Sequence, residues 1–219
     1  MLFQNRTDAG KQLAKKLKNY RGRADTIVLA LPRGGVPVGY EVATELDLPL
    51  DVFMVRKLGV PGHEEYAFGS IASGGVQYIN RLTVKSLRLP QSVVDEVVAR
   101  ELRELERREK IYREYMPPYD LQGKHVIIVD DGLATGATMQ SAVRAIKLFH
   151  PKEIIVAVPV CAPETCAELK SNVDVWCVCS YAPEPFYAVG VWYQDFGQTT
   201  DEEVQDLLAR SRTRAMQPA

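Results

Sequence analysis

The sequence has no excess of charge of one sign. Its 219 residues carry 27 Lys and Arg against 28 Asp and Glu, a net charge of −1 with histidine neutral. General affinity for nucleic acid is therefore not expected, since that calls for a basic patch or stripe. No hydrophobic run reaches membrane-spanning length, and the N-terminus is polar and basic without a signal-peptide core. A cytoplasmic protein with no membrane partner is the expectation. Cysteines are few: Cys161, Cys166, Cys177 and Cys179, with no Cys-x-x-Cys pair. Buried reduced thiols are a better reading of them than a four-cysteine zinc site. Gly-x-Gly-x-x-Gly is absent, and so is the Gly-Lys-Ser/Thr ending of a Walker A loop. The usual dinucleotide and P-loop signatures are thereby excluded. The length suits a single α/β domain over residues 1–219, large enough to bury a real core.

What is present centres on residues 126 to 138. Val126 to Val129 is a short run of β-branched aliphatics, suited to a strand buried on both faces of a parallel sheet. Asp130 and Asp131 follow it, then the small-residue loop Gly132-Leu133-Ala134-Thr135-Gly136-Ala137-Thr138, then a helix over Met139 to Phe149. Open parallel sheets bind ligands at the carboxyl ends of their strands. A helix N-terminus offers unpaired N–H groups to phosphate, and Gly136 lets backbone approach an anion closely. Thr135 and Thr138 can donate hydroxyl hydrogen bonds. The two carboxylates would repel phosphate, yet they can accept from sugar hydroxyls or lie near Mg²⁺. A ribose carrying a 5′-phosphate satisfies both halves.

Along the chain, residues 7 to 18 read as an amphipathic helix with Leu13, Ala14 and Leu17 inward and lysines in solvent. Thr26 to Leu31 reads as a strand running into Pro32-Arg33-Gly34-Gly35, with a helix over Val38 to Leu46. The glycine pair and the planar guanidinium make a second anion site, or else a tight turn with a surface arginine. Leu50 to Val55 reads as a third strand ending in Arg56-Lys57. Residues 58–75, rich in glycine and holding His63, Glu64 and Glu65, read as a long mobile loop. Val76 to Ile79 suits a short antiparallel strand, and Gln91 to Tyr115 a charged helix bounded by Pro90 and Pro117-Pro118. That helix is expected to pack on its own domain, with a homodimer contact as the second reading. Glu153 to Val160 and Val173 to Val178 complete five strands, joined by the helix Pro163 to Lys170. Right-handed crossovers then give a mainly parallel sheet flanked by helices. Phe186, Tyr187 and Trp192 lie in an aromatic tail that could sandwich a flat base or close the core. Thr200 to Arg212 reads as a last helix capped by Thr200 or Asp201.

The stretch 126–138 resembles the 5-phosphoribosyl-1-pyrophosphate (PRPP) signature of the type I phosphoribosyltransferases: apolar strand, two acidic residues, then a small-Thr-Gly-x-Thr loop. The resemblance extends over roughly residues 24–180, the core, and is most specific in this motif. It implies a central five-stranded sheet with a flexible loop at 58–75 and a small hood at 181–198; the charged helix at 90–116 matches neither the adenine nor the orotate branch, which the loop otherwise resembles. It assigns Ala134, Thr135, Gly136, Ala137 and Thr138 to the 5′-phosphate, and Asp130 and Asp131 to the ribose hydroxyls. Arg33, Gly34, Gly35 and Lys57 would meet pyrophosphate, in a loop where the family often has an unusual cis peptide. Phe186, Tyr187 and Trp192 would lie on the base side, and His63, Glu64 or Glu65 could touch the nucleophile. The implied reaction displaces pyrophosphate from PRPP with a nitrogen nucleophile, Mg²⁺ being held chiefly by substrate oxygens. The 6-oxopurine branch carries a third Asp where this chain has Ala134, which argues for another acceptor. A PRPP-sensing regulator and a sugar-phosphate hydrolase are the alternatives.

Overall fold

The computed structural model describes residues 2–113, 120–171 and 175–215. In chain order it contains α1 (Arg6–Lys16), β1 (Thr26–Ala30), α2 (Gly35–Leu46), β2 (Leu50–Val52), β3 (Val55–Val60), β4 (His63–Ala72), β5 (Val76–Ile79), α3 (Arg81–Ser86) and α4 (Gln91–Arg113). Then follow β6 (His125–Val129), α5 (Ala137–Lys147), β7 (Glu153–Val160), α6 (Pro163–Ser171), β8 (Val175–Tyr181) and α7 (Asp201–Ala215). Five strands form a parallel sheet in the order β2-β1-β6-β7-β8. Its central strands are apolar throughout because both faces are covered. Val28, Ala30, Ile127 and Val129 face a core shared with α1, α2, α4 and α7. Ile27, Leu29, Val126 and Ile128 face the core under α5 and α6. The alternation follows from the two-residue period of a strand.

The segment after β2 departs from expectation. The apolar run does not continue to Val55 as one strand. Met54 N donates to Ser73 Oγ and Ser73 N donates to Met54 O, both at 2.9 Å, and the chain leaves the parallel sheet there. Arg56 and Lys57 therefore lie inside β3 instead of closing a parallel strand. Residues 58–75, expected as an irregular loop, are mostly an antiparallel hairpin of β3 and β4, with β5 added beyond. Gly62 makes its turn at φ 79°. Gly69 permits close strand approach, since a Cβ there would lie 2.3 Å from the Tyr78 carbonyl oxygen. Leu58, Phe68 and Ile71 anchor the hairpin in the core. The side chain of Glu65, residues 114–119 with Pro117 and Pro118, and the start of the strand expected at Val173 lie outside the described residues.

The charged helix α4 packs on its own chain through Val94, Val97, Leu105 and Tyr112. Two charged residues are buried with them. Glu101 accepts from Arg56 Nε at 2.6 Å. Arg113 donates to the Val52 carbonyl at 2.8 Å and lies 3.2 Å from Asp51 Oδ2. Burial raises the Asp51 pKa, and Arg113 opposes that rise. Arg113→Met is expected to destabilise the fold by about 3–5 kcal/mol at neutral pH, because it strands a buried carboxylate. The deficit should shrink as pH falls, since protonated Asp51 no longer needs the cation. Urea unfolding at two pH values checks this.

Candidate active site

Asp130 and Asp131 leave the end of β6, the middle strand of the parallel sheet. The next residues are fixed from outside their own loop. Leu133 N donates to Val160 O at 2.9 Å, and Ala162 N donates to Leu133 O at 2.8 Å, tying the loop to the end of β7. Thr165 Oγ1 of α6 donates to Ala134 O at 2.5 Å. Gly136 adopts φ 67°, and a Cβ there would lie 2.6 Å from Thr165 Cγ2. No side chain caps α5, so the first-turn N–H groups of this helix have no side-chain acceptor at the loop. Ala134, Thr135 and Thr138 are exposed there.

The loop after β1 lies against this one. The Pro32–Arg33 peptide is cis. A Cβ on Gly35 would meet Val129 O at 2.7 Å, and one on Gly34 would meet Asp131 Oδ2. Arg33 Nη1 is 3.8 Å from Asp201 Oδ1, at the start of α7. The same oxygen accepts from the Tyr112 hydroxyl of α4 at 2.5 Å. Burial and then Asp201 push the Tyr112 pKa up to about 12, so the phenol stays a donor. A cavity of about 50 Å³ lies beside the loop after β1, lined by Leu31, Pro32, residues 53–56, Leu105, Arg108 and Tyr112 of α4, and Thr138 at the start of α5. Lys57 does not line it: the side chain is exposed, and successive strand residues point to opposite faces. His63 and Glu64 are likewise exposed at the hairpin tip.

Electrostatics distinguish the two carboxylates. Burial, then the neighbouring Asp131 charge, raise the Asp130 pKa well above the usual carboxylate range. Its Oδ1 accepts from Asp131 N at 2.9 Å. Burial also raises Asp131, against the opposing pull of Arg6. Arg6 is a residue that the sequence did not reveal. It opens α1, which Asn5 caps by accepting from Asp8 N at 2.9 Å. Its Nε lies 2.9 Å and its Nη2 2.8 Å from Asp131 Oδ2.

The tail borders the same edge. Val189 packs on Gly132, and the buried Tyr193 hydroxyl donates to Asp131 O at 2.6 Å. The N-terminal segment joins it: Leu2 N and Phe3 N donate to Trp192 O at 2.9 and 3.0 Å. Of the aromatic candidates, Phe186 and Trp192 pack on the cluster of Phe3, Ala9, Val160 and Tyr193, and Tyr187 is 75% exposed. No cysteine is in a disulfide. Cys161 and Cys166 are buried, and Cys177 and Cys179 are partly so. Thr200 is the α7 cap, accepting from Glu203 N at 3.1 Å.

Comparison with known proteins agrees with this architecture. The phosphoribosyl transferase domain family matches residues 2–183. A Mycobacterium tuberculosis (strain H37Rv) protein named "Putative phosphoribosyl transferase Rv0571c" is 42% identical over 210 residues, covering 96% of this chain and 47% of that protein. The chain thus spans about half the length of the curated relatives it matches. The bifunctional protein PyrR of Deinococcus radiodurans is 33% identical over 105 residues, which are 45% of this chain and 57% of that protein. The crystal structure of TT1426 from Thermus thermophilus superposes with a TM-score of 0.84 at 39% identity, covering 96% of this chain and 99% of that one. On the match of nearly the whole described core and on these relatives, the chain belongs to the phosphoribosyl transferase family.

Proposed function

We propose that this domain binds PRPP across the carboxyl edge of its parallel sheet and passes the phosphoribosyl group to a nitrogen nucleophile, displacing pyrophosphate. One observation carries the reading: a buried acidic pair and an uncapped helix N-terminus share one loop, beside a second loop that bears Arg33. The backbone N–H groups and hydroxyls of residues 134–138 take the 5′-phosphate. Asp131, with Asp130 beside it, accepts from the ribose hydroxyls. Arg33, Gly34 and Gly35 meet the diphosphate, with Arg56 in the cleft and Lys57 at the rim as further cations. As the bond from C1 to diphosphate breaks, positive charge grows on the ribose and negative charge on the leaving group. Positioning and charge neutralisation serve this chemistry, and no covalent nucleophile is needed. The exposed tip of the β3–β4 hairpin, with His63 and Glu64, closes over the reacting centre and excludes water.

Among the described residues, no group of three or more His, Cys, Asp or Glu side chains is arranged to hold a metal ion. Asp131 is moreover tied to Arg6. That donor set fits Mg²⁺ held mainly by substrate oxygens and water, where the ion would neutralise diphosphate charge. Ala134 in place of a third Asp favours a nucleobase other than a 6-oxopurine, with Phe186, Tyr187 and Trp192 as the base-side candidates, of which Tyr187 is exposed. No helix among the described residues is long and apolar enough to cross a membrane. The test is pyrophosphate release from PRPP and Mg²⁺ across a panel of nucleobases and small amines. Acceptor-dependent release is expected. PRPP binding without release for any acceptor would contradict transfer and favour a sensor.

A further inference from the structure

Arg6 and Asp131 are 125 positions apart, yet they form the most thoroughly constrained ion pair at this edge. Both side chains are largely buried, at 13% and 15% exposure. The guanidinium is fixed on every side. Nη1 donates to Gly197 O at 2.7 Å, Nε and Nη2 reach Asp131 Oδ2, and the plane lies 3.9 Å from the centre of the Phe196 ring. Phe196 in turn packs on Tyr193 with centroids 4.9 Å apart, and Tyr193 holds the Asp131 carbonyl. The start of α1 and the tail 193–197 thus hold Arg6 and Asp131 together as one rigid unit. Both Arg6 contacts to the carboxylate go to Oδ2. Among the described residues, no side chain other than Arg6 donates a hydrogen bond to the Asp131 carboxylate.

We propose that Arg6 is a positioning residue: through its two contacts to Oδ2 it places the negative charge of the acidic pair on Asp131 and orients that carboxylate for the ribose hydroxyls. This rests on the phosphoribose reading of the site. The groups facing Asp131 come from four elements: Asp130 from the end of β6, Arg6 from α1, the Tyr193 hydroxyl from the tail, and the Gly34 backbone from the loop after β1. Of these, Arg6 alone brings positive charge. Two adjacent carboxylates cannot easily both ionise in a buried setting, and the one beside a cation keeps the charge. Burial and the Asp131 charge favour the proton on Asp130. Without Arg6 the preference disappears, and Asp131 holds its proton to higher pH. A protonated Asp131 is a poorer acceptor for a hydroxyl, so PRPP affinity should fall near neutrality and recover as pH rises.

The test uses the full chain with ¹³C-labelled aspartate, the Asp131 carboxyl signal being identified by its loss in Asp131→Asn. Its titration is followed by NMR in the wild type, Arg6→Gln and Arg6→Lys, and thermal melting confirms that each variant folds. Asp131 is expected to titrate at higher pH in Arg6→Gln than in the wild type, and Arg6→Lys to restore most of the difference. Affinity for PRPP at neutral pH should fall on the order of tenfold in Arg6→Gln, the scale of one charge-assisted contact, and recover at alkaline pH. An Asp131 titration that is the same in the wild type and both variants overturns the proposal, and so does an affinity loss that is flat across pH. If Arg6→Gln shifts the titration but saturating PRPP leaves the wild-type Asp131 signal unmoved, the phosphoribose reading itself has failed. A purely structural role for Arg6 would lower the melting temperature without moving the titration.

Discussion

Asp131→Asn is expected to lower kcat/KM for PRPP by about 10²–10³, the cost of one preorganised charged contact to a developing charge. Asp130→Asn should cost far less, about tenfold on the same scale. The two carboxylates are adjacent, but their settings differ. Arg6 opposes the rise that burial gives Asp131, whereas burial and its neighbour hold Asp130 protonated to higher pH. An Asn amide resembles a neutral acid, and its Oδ1 can still accept from the Asp131 N–H. Stability should move the other way. A carboxyl with a raised pKa in the folded state favours folding at low pH and opposes it once pH rises above its unfolded value. Asp130→Asn removes that opposition. Its melting temperature should therefore exceed that of the wild type at neutral pH by on the order of a few degrees, with the gain fading as pH approaches 4. Steady-state kinetics and melting curves on both variants test the asymmetry, and equal losses from the two substitutions would contradict it.

Gly35→Ala should damage both the fold and the site. The added carbon would lie 2.7 Å from the Val129 carbonyl oxygen and 3.0 Å from Asp130 Cα. Those are backbone atoms of the central strand and its end, and they cannot swing aside. The first turn of α2 must back away instead, at a cost of about 1–3 kcal/mol. In a chain of this size that lowers Tm by roughly 2–4 °C for each kcal/mol. The 33–35 loop and the acidic pair then separate, and PRPP affinity should fall by about a hundredfold or more, the effect of misplacing a positioned group by an ångström. Gly34→Ala is the informative companion. Its carbon meets Oδ2 and Cγ of the Asp131 side chain, which can shift only by giving up its contacts with Arg6. A smaller stability loss is expected there, with a comparable loss of binding. Calorimetric melting paired with a PRPP titration separates the two effects.

The centre of the molecule was legible because its signals are local. A four-residue apolar run at the middle of the sheet, two carboxylates and a small-residue turn are adjacent in the chain, and the fold keeps them adjacent. Thr200 as a cap and the short strand Val76–Ile79 were legible for the same reason. The hairpin was harder. Glycine in a strand that permits close approach looks in sequence like glycine that hinges a loop, and the reciprocal Met54–Ser73 bonds that turn the chain out of the parallel sheet are 19 positions apart. Arg56 and Lys57 could not be told apart until β3 was seen to alternate them, with Arg56 toward the cleft. In α4 the charged Glu101 and Arg113 are buried, contrary to any polar-outside pattern, because their partners Arg56 and Asp51 arrive from β3 and β2. Arg6 had no local signal at all. Its role is set by contacts with residues 131, 196 and 197, which no periodicity near the N-terminus reports.

The central claim is that the carboxyl edge built by residues 33–35 and 130–138 is a PRPP site. Isothermal titration of the wild-type chain with PRPP in the presence of Mg²⁺ tests it most directly. Saturable binding of one PRPP per chain is expected, weakened in both Asp131→Asn and Gly35→Ala. Absence of binding in the wild type, or binding that both substitutions leave unchanged, would contradict the account.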